Sequence, residues 1–112
     1  MPSFCKIVAQ FDNCTSGFDF LVAIVEGNPS DAIMEAESIL IDHMVEQRSC
    51  NEKEVKDFVK RIVDSLDENG TAIAENVPGG PAENDFCTLT IRIYELGDVL
   101  SVHEAQFIAG AG

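Results

Sequence analysis

Alternating apolar and polar residues at the start of the chain predict a pair of neighbouring strands. In residues 4–11 Cys5, Ile7, Ala9 and Phe11 would share one face, with Lys6 and Gln10 on the other, which is the period of a half-buried strand. Residues 18–26 are apolar at nearly every position, so we expect this second strand to lie inside a sheet. The turn-forming residues 12–17 between them predict a hairpin with a longer loop.

Two helices are predicted next. Asn28 can cap the first, Pro29 suits its first turn, and the apolar pattern extends to about Gln47. A second start at Asn51, with a glutamate three residues on, resembles a capping box, and Asn69-Gly70 ends that helix. The second helix carries one apolar stripe: Val55, Phe58, Val59, Ile62, Val63 and Leu66. The short connection predicts that the two helices are antiparallel.

The remaining pattern predicts two more strands. Residues 71–77 are a weak strand candidate, residues 78–85 are a loop rich in Gly and Pro, and residues 86–95 alternate clearly. The predicted order is therefore β-β-α-α-β-β. We expect an α+β fold in which an antiparallel sheet carries the antiparallel helix pair on one face.

The C-terminal segment has two interpretations. Residues 101–109 resemble a capping box followed by a short helix, whereas residues 99–102 fit a last strand equally well. Residues 109–112 are expected to fray. With a length of 112 residues, we expect residues 1–112 to form a single domain.

Charge is the most unusual property of this sequence. Twenty acidic and seven basic residues give a net charge of −13. Residues 1–47 hold eight acids and one base (−7), residues 48–61 hold three acids and five bases (+2), and residues 62–112 hold nine acids and one base (−8). Such a surface repels nucleic acid and anionic membranes and attracts basic protein surfaces.

Cysteine and histidine usage does not predict a metal or cofactor site. Cys5, Cys14, Cys50 and Cys87 are scattered without paired spacing, so zinc is not expected. The N-terminus lacks the basic and apolar regions of a signal peptide, and no apolar run is long enough to span a membrane. We therefore expect a cytoplasmic protein with four free thiols, Cys5 and Cys87 facing the core and Cys14 and Cys50 in loops.

Four carboxylates are predicted to line one edge of the first helix. At 100° per residue Asp31, Glu35, Asp42 and Glu46 all fall within about 60° of one another, with axial gaps of roughly 6, 10 and 6 Å. These gaps are of the same order as the separation of phosphates along a nucleic-acid strand. The pairs spaced i,i+4 are like-charged, which is unfavourable, and the helix has no basic residue before Arg48. The other interpretation is an ordinary solvated helix edge.

Glu37 projects onto the apolar side of the same helix. A carboxylate there must find a partner or change its pKa, so it is a candidate general acid or base, or a boundary residue reaching a cation of the second helix. His43 is expected to be a boundary residue, and no spacing links a thiol to a histidine. The basic residues of the second helix are expected to form i,i+4 pairs Lys53–Asp57, Asp57–Arg61 and Lys60–Asp64. We therefore predict no enzymatic activity.

The function that these patterns favour is binding to a protein with a basic nucleic-acid-binding groove by mimicry of nucleic-acid charge, through Asp31, Glu35, Asp42 and Glu46. In size, charge and architecture the chain resembles phage-encoded anti-CRISPR and anti-restriction inhibitors; no motif supports carrying over their functional residues. The alternative is an interaction module, accessory subunit or homodimer that binds through apolar surface, including the second strand, Tyr94 or Phe107. In that case the acid excess would serve solubility or adaptation to salt.

Overall fold

The segments with strand periodicity form a four-stranded sheet in the computed structural model, which describes residues 3–14, 17–80 and 85–97. The strands are β1 (Phe4–Asp12), β2 (Asp19–Glu26), β3 (Thr71–Pro78) and β4 (Phe86–Gly97). All pairs are antiparallel, and the order across the sheet is β2-β1-β4-β3. The predicted α+β class, with an antiparallel sheet and two helices, is confirmed.

The pairing register sorts the side chains onto two faces. Ile7 lies opposite Ala23 and Ile93, whereas the next residue, Val8, lies opposite Val22 and Arg92. Successive side chains of a strand point to opposite faces of the sheet. Ile7 and its partners therefore lie on one face, and Val8 and its partners lie on the other. The side of Ile7 is buried under the helices. We call the side of Val8 the outer face.

The prediction that the second strand lies inside the sheet is wrong, because β2 is an edge strand among those that the structure describes. Its double apolar character has another origin. Ala23 and Val25 lie on the helix side, Ile24 lies on the outer face, and all three are buried. The apolar residues at the centre of β2 therefore reflect burial of both faces of the strand. They do not require a neighbouring strand on each side.

Both helices begin directly after the asparagines that were predicted to cap them. Helix α1 (Pro29–Asp42) starts after Asn28, and α2 (Glu52–Asp64) starts after Asn51, whose side chain accepts a hydrogen bond from the backbone of Glu54. The helical conformation extends to Gln47, as predicted, but its last turn is not a regular α-helix. Residues His43–Gln47 form a π-helical segment, in which hydrogen bonds join residues i and i+5.

One core cluster joins both helices to the sheet. Leu40 and Met44 meet Val55 and Val59 of α2, and together they cover the helix side of the sheet. The strand residues in this cluster are Ala9, Phe11, Ala72, Val77, Leu89 and Ile91. A second, smaller cluster packs Ala32 and Ala36 against Cys5, Ile7 and Val25. The helix pair thus packs on one face of the sheet, as predicted.

The expectation of four free thiols is also wrong. Cys14 and Cys87 form a disulfide with their Cα atoms 4.4 Å apart, while Cys5 and Cys50 are free and buried. The sheet explains this proximity, because Asp12 of β1 lies opposite Thr88 of β4. Disulfides persist mainly in oxidising compartments, which weighs against the expected reducing cytoplasm; the location itself stays a prediction.

The expectations for the C-terminal segment, a helix over 101–109 or a strand over 99–102 followed by a frayed end, lie outside the described residues, and so does Phe107. Within the described ranges, no helix is long and apolar enough to cross a membrane.

Candidate functional site

The acidic edge of α1 begins at its N-terminal cap. The side chain of Asn28 accepts a hydrogen bond from the backbone of Asp31 at 3.0 Å, and the carboxylate of Asp31 accepts one from the backbone of Asn28 at 3.1 Å. This reciprocal pair is a capping box that satisfies two otherwise unpaired N–H groups. Asp31 therefore stabilises the helix start while its side chain stays exposed.

All four carboxylates predicted to form a row are exposed in the structure: Asp31, Glu35, Asp42 and Glu46. We call these four residues the acidic row. They are exposed because α1 turns its other side, with Ala32, Ala36 and Leu40, toward the sheet. Glu46 lies in the π-helical segment, whose wider turn shifts it from the position expected for a regular α-helix.

No cation neutralises the acidic row within the part of the chain that the structure describes. The ion pairs found there join Asp19 to Arg48 and Glu52 to Lys56, and the ring of His43 contacts Asp19. The carboxylates of the row are in none of them. Their negative charges therefore reach solvent uncompensated, and the like-charged neighbours at i,i+4 disfavour the isolated helix by a few tenths of a kcal/mol per pair.

Arg48, the first cation after the row, points into the protein. Its Nη1 donates to Oδ2 of Asp19 at 3.0 Å and its Nε to the carbonyl of Gly79 at 3.0 Å. Its guanidinium lies 5.1 Å from the ring centre of Phe11, a distance suited to a cation–π contact. Only 9% of the Arg48 side chain is exposed, so its charge interacts with groups inside the protein.

The ring of His43 contacts the same carboxylate as Arg48, that of Asp19. Its Nε2 lies 2.9 Å from Oδ2 of Asp19, and its ring stacks on Phe11 with centroids 5.6 Å apart. Burial raises the pKa of Asp19, but hydrogen bonds from His43 and Arg48 outweigh that effect and hold the pKa below its usual range. The sequence did not reveal this cluster of Asp19, His43 and Arg48, because nothing local links β2 to residues more than twenty positions later.

The other candidates for chemistry are not brought together. Glu37 is partly exposed and makes no hydrogen bond or ion pair with any residue in the described ranges. Cys50 lies in the loop before α2, as expected, but its thiol is buried, and burial raises its pKa, which opposes formation of a nucleophilic thiolate. Among the described residues no group of three or more His, Cys, Asp or Glu side chains could hold a metal ion.

The basic stretch of α2 pairs differently from the prediction. Lys56 contacts Glu52 at 3.2 Å, whereas the three predicted i,i+4 pairs are not formed within residues 52–64. Arg61 instead donates to the backbone carbonyl of Asp57 and lies over the ring of Phe58. The flat guanidinium thus covers an apolar ring instead of reaching an exposed carboxylate.

Comparison with known proteins gives no match for this chain among family models, curated proteins or solved structures.

Proposed function

We propose that this protein is a non-enzymatic acidic binding protein that occupies the basic nucleic-acid-binding groove of a target protein and so inhibits it, in the manner of phage-encoded inhibitors. One observation carries the proposal. The acidic row is fully presented to solvent, and the described ion pairs leave it uncompensated, while Arg48 is turned inward to Asp19. A helix edge that served only solubility would gain stability from interspersed cations.

The row provides several charges along one line. From Asp31 to Glu46 it extends roughly 20 Å along the helix axis, more than twice the Debye length of about 8 Å at physiological ionic strength. Its two ends are therefore screened from each other in solution and act as separate contacts. A basic groove that binds a nucleic-acid strand offers cations over a comparable length, so several of these contacts form together.

A capture experiment with the immobilised wild-type protein tests this function. Bacterial lysate is passed over the protein, bound proteins are eluted with rising salt, and each fraction is identified by mass spectrometry. The proposal expects a nucleic-acid-handling protein that is released by moderate salt and by added DNA or RNA. A partner that remains bound at high salt and in excess nucleic acid would contradict charge mimicry.

A second candidate function, binding through apolar surface, is favoured by the outer face of the sheet. Phe20 and Ile73 are 58% and 67% exposed there, and Tyr94 is 44% exposed. Phe18, next to this face, is 62% exposed, and its ring centre lies 6.0 Å from that of Phe20. Exposed aromatic pairs of this kind are common at protein interfaces. Under this alternative, a Phe18→Ser/Phe20→Ser variant would lose the captured partner, and salt would have little effect on wild-type binding.

A further inference from the structure

A groove of about 670 Å³ lies between the start of α1, the end of α2 and the strand β4. Its lining includes the apolar residues Ile33, Leu66 and Ile93, and Ile93 lies on the helix side of the sheet. Acidic residues surround them: Asp64 and Asp67, Glu68 and Glu95. We call this feature the α2–β4 groove. Among the residues that the structure describes, none of those lining the groove is basic.

Unequal strand lengths help to form the groove. The first residue of β3, Thr71, lies opposite Arg92, whereas β4 continues to Gly97. Residues 94–97 therefore have β1 on one side and no strand on the other within the described part of the chain. The backbone N–H of Ile93 still donates to the carbonyl of Gly70 at 2.8 Å. Backbone N–H and C=O groups two residues apart point to the same edge of a strand. The backbone groups of Glu95, two residues after Ile93, therefore point to the side of the groove.

The turn that closes the groove is fixed by two residues. Oδ1 of Asp67 accepts hydrogen bonds from the backbone of Asn69 and Thr71 at 2.8 and 3.0 Å. Gly70 has φ of +73°, and a Cβ placed there would lie 2.6 Å from the carbonyl oxygen of Ile93. The wall between α2 and β3 is therefore held close to β4 by backbone contacts, and the groove is a built feature of the fold.

Charge decides which ligand suits this groove. Asp64, Glu68 and Glu95 are exposed, and none of them takes part in an ion pair among residues 3–14, 17–80 and 85–97. An apolar or anionic ligand would leave these carboxylates uncompensated. A cationic ligand with an apolar side chain would place its charges at the rim and its side chain against Ile33, Leu66 and Ile93.

We infer that the α2–β4 groove binds a basic segment of a partner protein, which inserts an apolar side chain between flanking Lys or Arg residues. The inference rests on the proposed function, because both require a basic partner, and it adds an apolar anchor to a contact otherwise driven by charge. The free edge of β4 at Glu95 can take backbone hydrogen bonds from an extended segment. The partner class is thus a protein with an extended, basic and partly apolar segment beside its nucleic-acid groove.

Isothermal titration calorimetry measures the binding. The probe is a synthetic Lys-Leu-Lys-Leu-Lys peptide, titrated into the protein at moderate salt. Binding in the groove is expected to saturate at one peptide per protein. The peptides Lys-Ser-Lys-Ser-Lys and Glu-Leu-Glu-Leu-Glu are expected to bind at least tenfold more weakly.

Matched variants separate the groove from the overall negative charge. Asp64→Lys/Glu68→Lys is expected to weaken peptide binding at least tenfold. The control, Glu26→Lys/Glu75→Lys, makes the same change of charge at exposed residues outside the groove and is expected to weaken it less than twofold. Circular dichroism checks that each variant is folded. An equal loss in both variants, or equal binding of the serine peptide, would overturn the inference.

Two further outcomes are distinguishable. A dimer in analytical ultracentrifugation that the peptide dissociates would assign the groove to a second copy of the chain and overturn the inference. A variant of the acidic row, Glu35→Lys/Asp42→Lys/Glu46→Lys, is expected to keep peptide binding within twofold. In one such outcome the row variant still captures the partner while peptide binding is lost in Asp64→Lys/Glu68→Lys. That result would contradict the proposed charge mimicry and support the assignment of the groove.

Discussion

The guanidinium of Arg48 and the carboxylate of Asp19 are joined by a hydrogen-bonded ion pair, with Nη1 and Oδ2 3.0 Å apart. The pair links the start of β2 to the residue that follows the π-helical segment. It also directs the first cation after Glu46 into the protein. Arg48 is therefore in no ion pair with the carboxylates of the acidic row.

Removing Asp19 is expected to destabilise the fold. In Asp19→Ala, Arg48 and His43 lose a shared acceptor, and Arg48 is left largely buried without this carboxylate. Breaking such a pair costs about 3 kcal/mol, and the free energy of unfolding in urea at pH 7 should fall by about that amount. Asp57→Ala, at an exposed position, is the control and should change it by less than about 0.5 kcal/mol. A loss in Asp19→Ala no larger than in this control would show that the pair contributes little.

The same ion pair predicts a dependence of stability on pH. The folded-state pKa of Asp19 is lowered, so the unfolded chain binds this proton more tightly and the stabilising effect is present above the unfolded-state pKa, about 3.9. It is lost as pH falls through the lower, folded-state pKa. The difference in unfolding free energy between wild type and Asp19→Ala should therefore shrink as pH falls from 5 to 3. A difference that grows over this range would contradict this assignment.

Reduction of the Cys14–Cys87 disulfide is expected to lower stability strongly. The two residues are 73 positions apart, and closing a loop of that length in the unfolded chain corresponds to about 4 kcal/mol in the chain-entropy treatment. The urea midpoint should fall on addition of a reductant, and a Cys14→Ala/Cys87→Ala variant should show no such fall. Titration of the denatured, unreduced protein should find two free thiols. Four free thiols would contradict the disulfide.

Glu35 illustrates a conflict between stability and binding. In Glu35→Lys the repulsive pair with Asp31 becomes an attractive i,i+4 pair, and the free energy of unfolding should rise by about 0.5 kcal/mol. Glu35→Gln removes only the repulsion and should gain about half as much. Both variants should bind the captured partner more weakly, as measured by surface plasmon resonance. A lysine variant less stable than wild type would show that Glu35 has a favourable contact in the native protein.

Local sequence rules predicted most of the fold. Alternation located β1 and β4, and Asn28 and Asn51 marked both helix starts, because strand period and capping depend on neighbouring residues. The π-helical segment was missed because it accompanies a tertiary contact: the wider turn brings His43 and Arg48, five residues apart, to one carboxylate. The Cys14–Cys87 bond was missed for a similar reason, since only the pairing of β1 with β4 brings these residues together.

The candidate site also has one part that local sequence predicted and another that depends on tertiary packing. Helix projection correctly predicted that the residues of the acidic row are exposed, because burial of Ala32, Ala36 and Leu40 follows from the same period. It did not predict the shift of Glu46 in the π-helical segment. The inward turn of Arg48 and the α2–β4 groove depend on which elements pack together. Neither has a local sequence signal.

The most direct test of charge mimicry compares two variants of equal net charge in capture from bacterial lysate. The row variant is Glu35→Lys/Asp42→Lys/Glu46→Lys, which leaves Asp31 to cap α1. The control is Glu26→Lys/Glu54→Lys/Glu75→Lys, at exposed residues elsewhere. Each replaces three acids by three bases and changes the net charge from −13 by +6 to −7. If the row is the binding site, the row variant should retain less than about a tenth of the nucleic-acid-handling partner that the control retains, with both variants folded; equal retention by the two would contradict it.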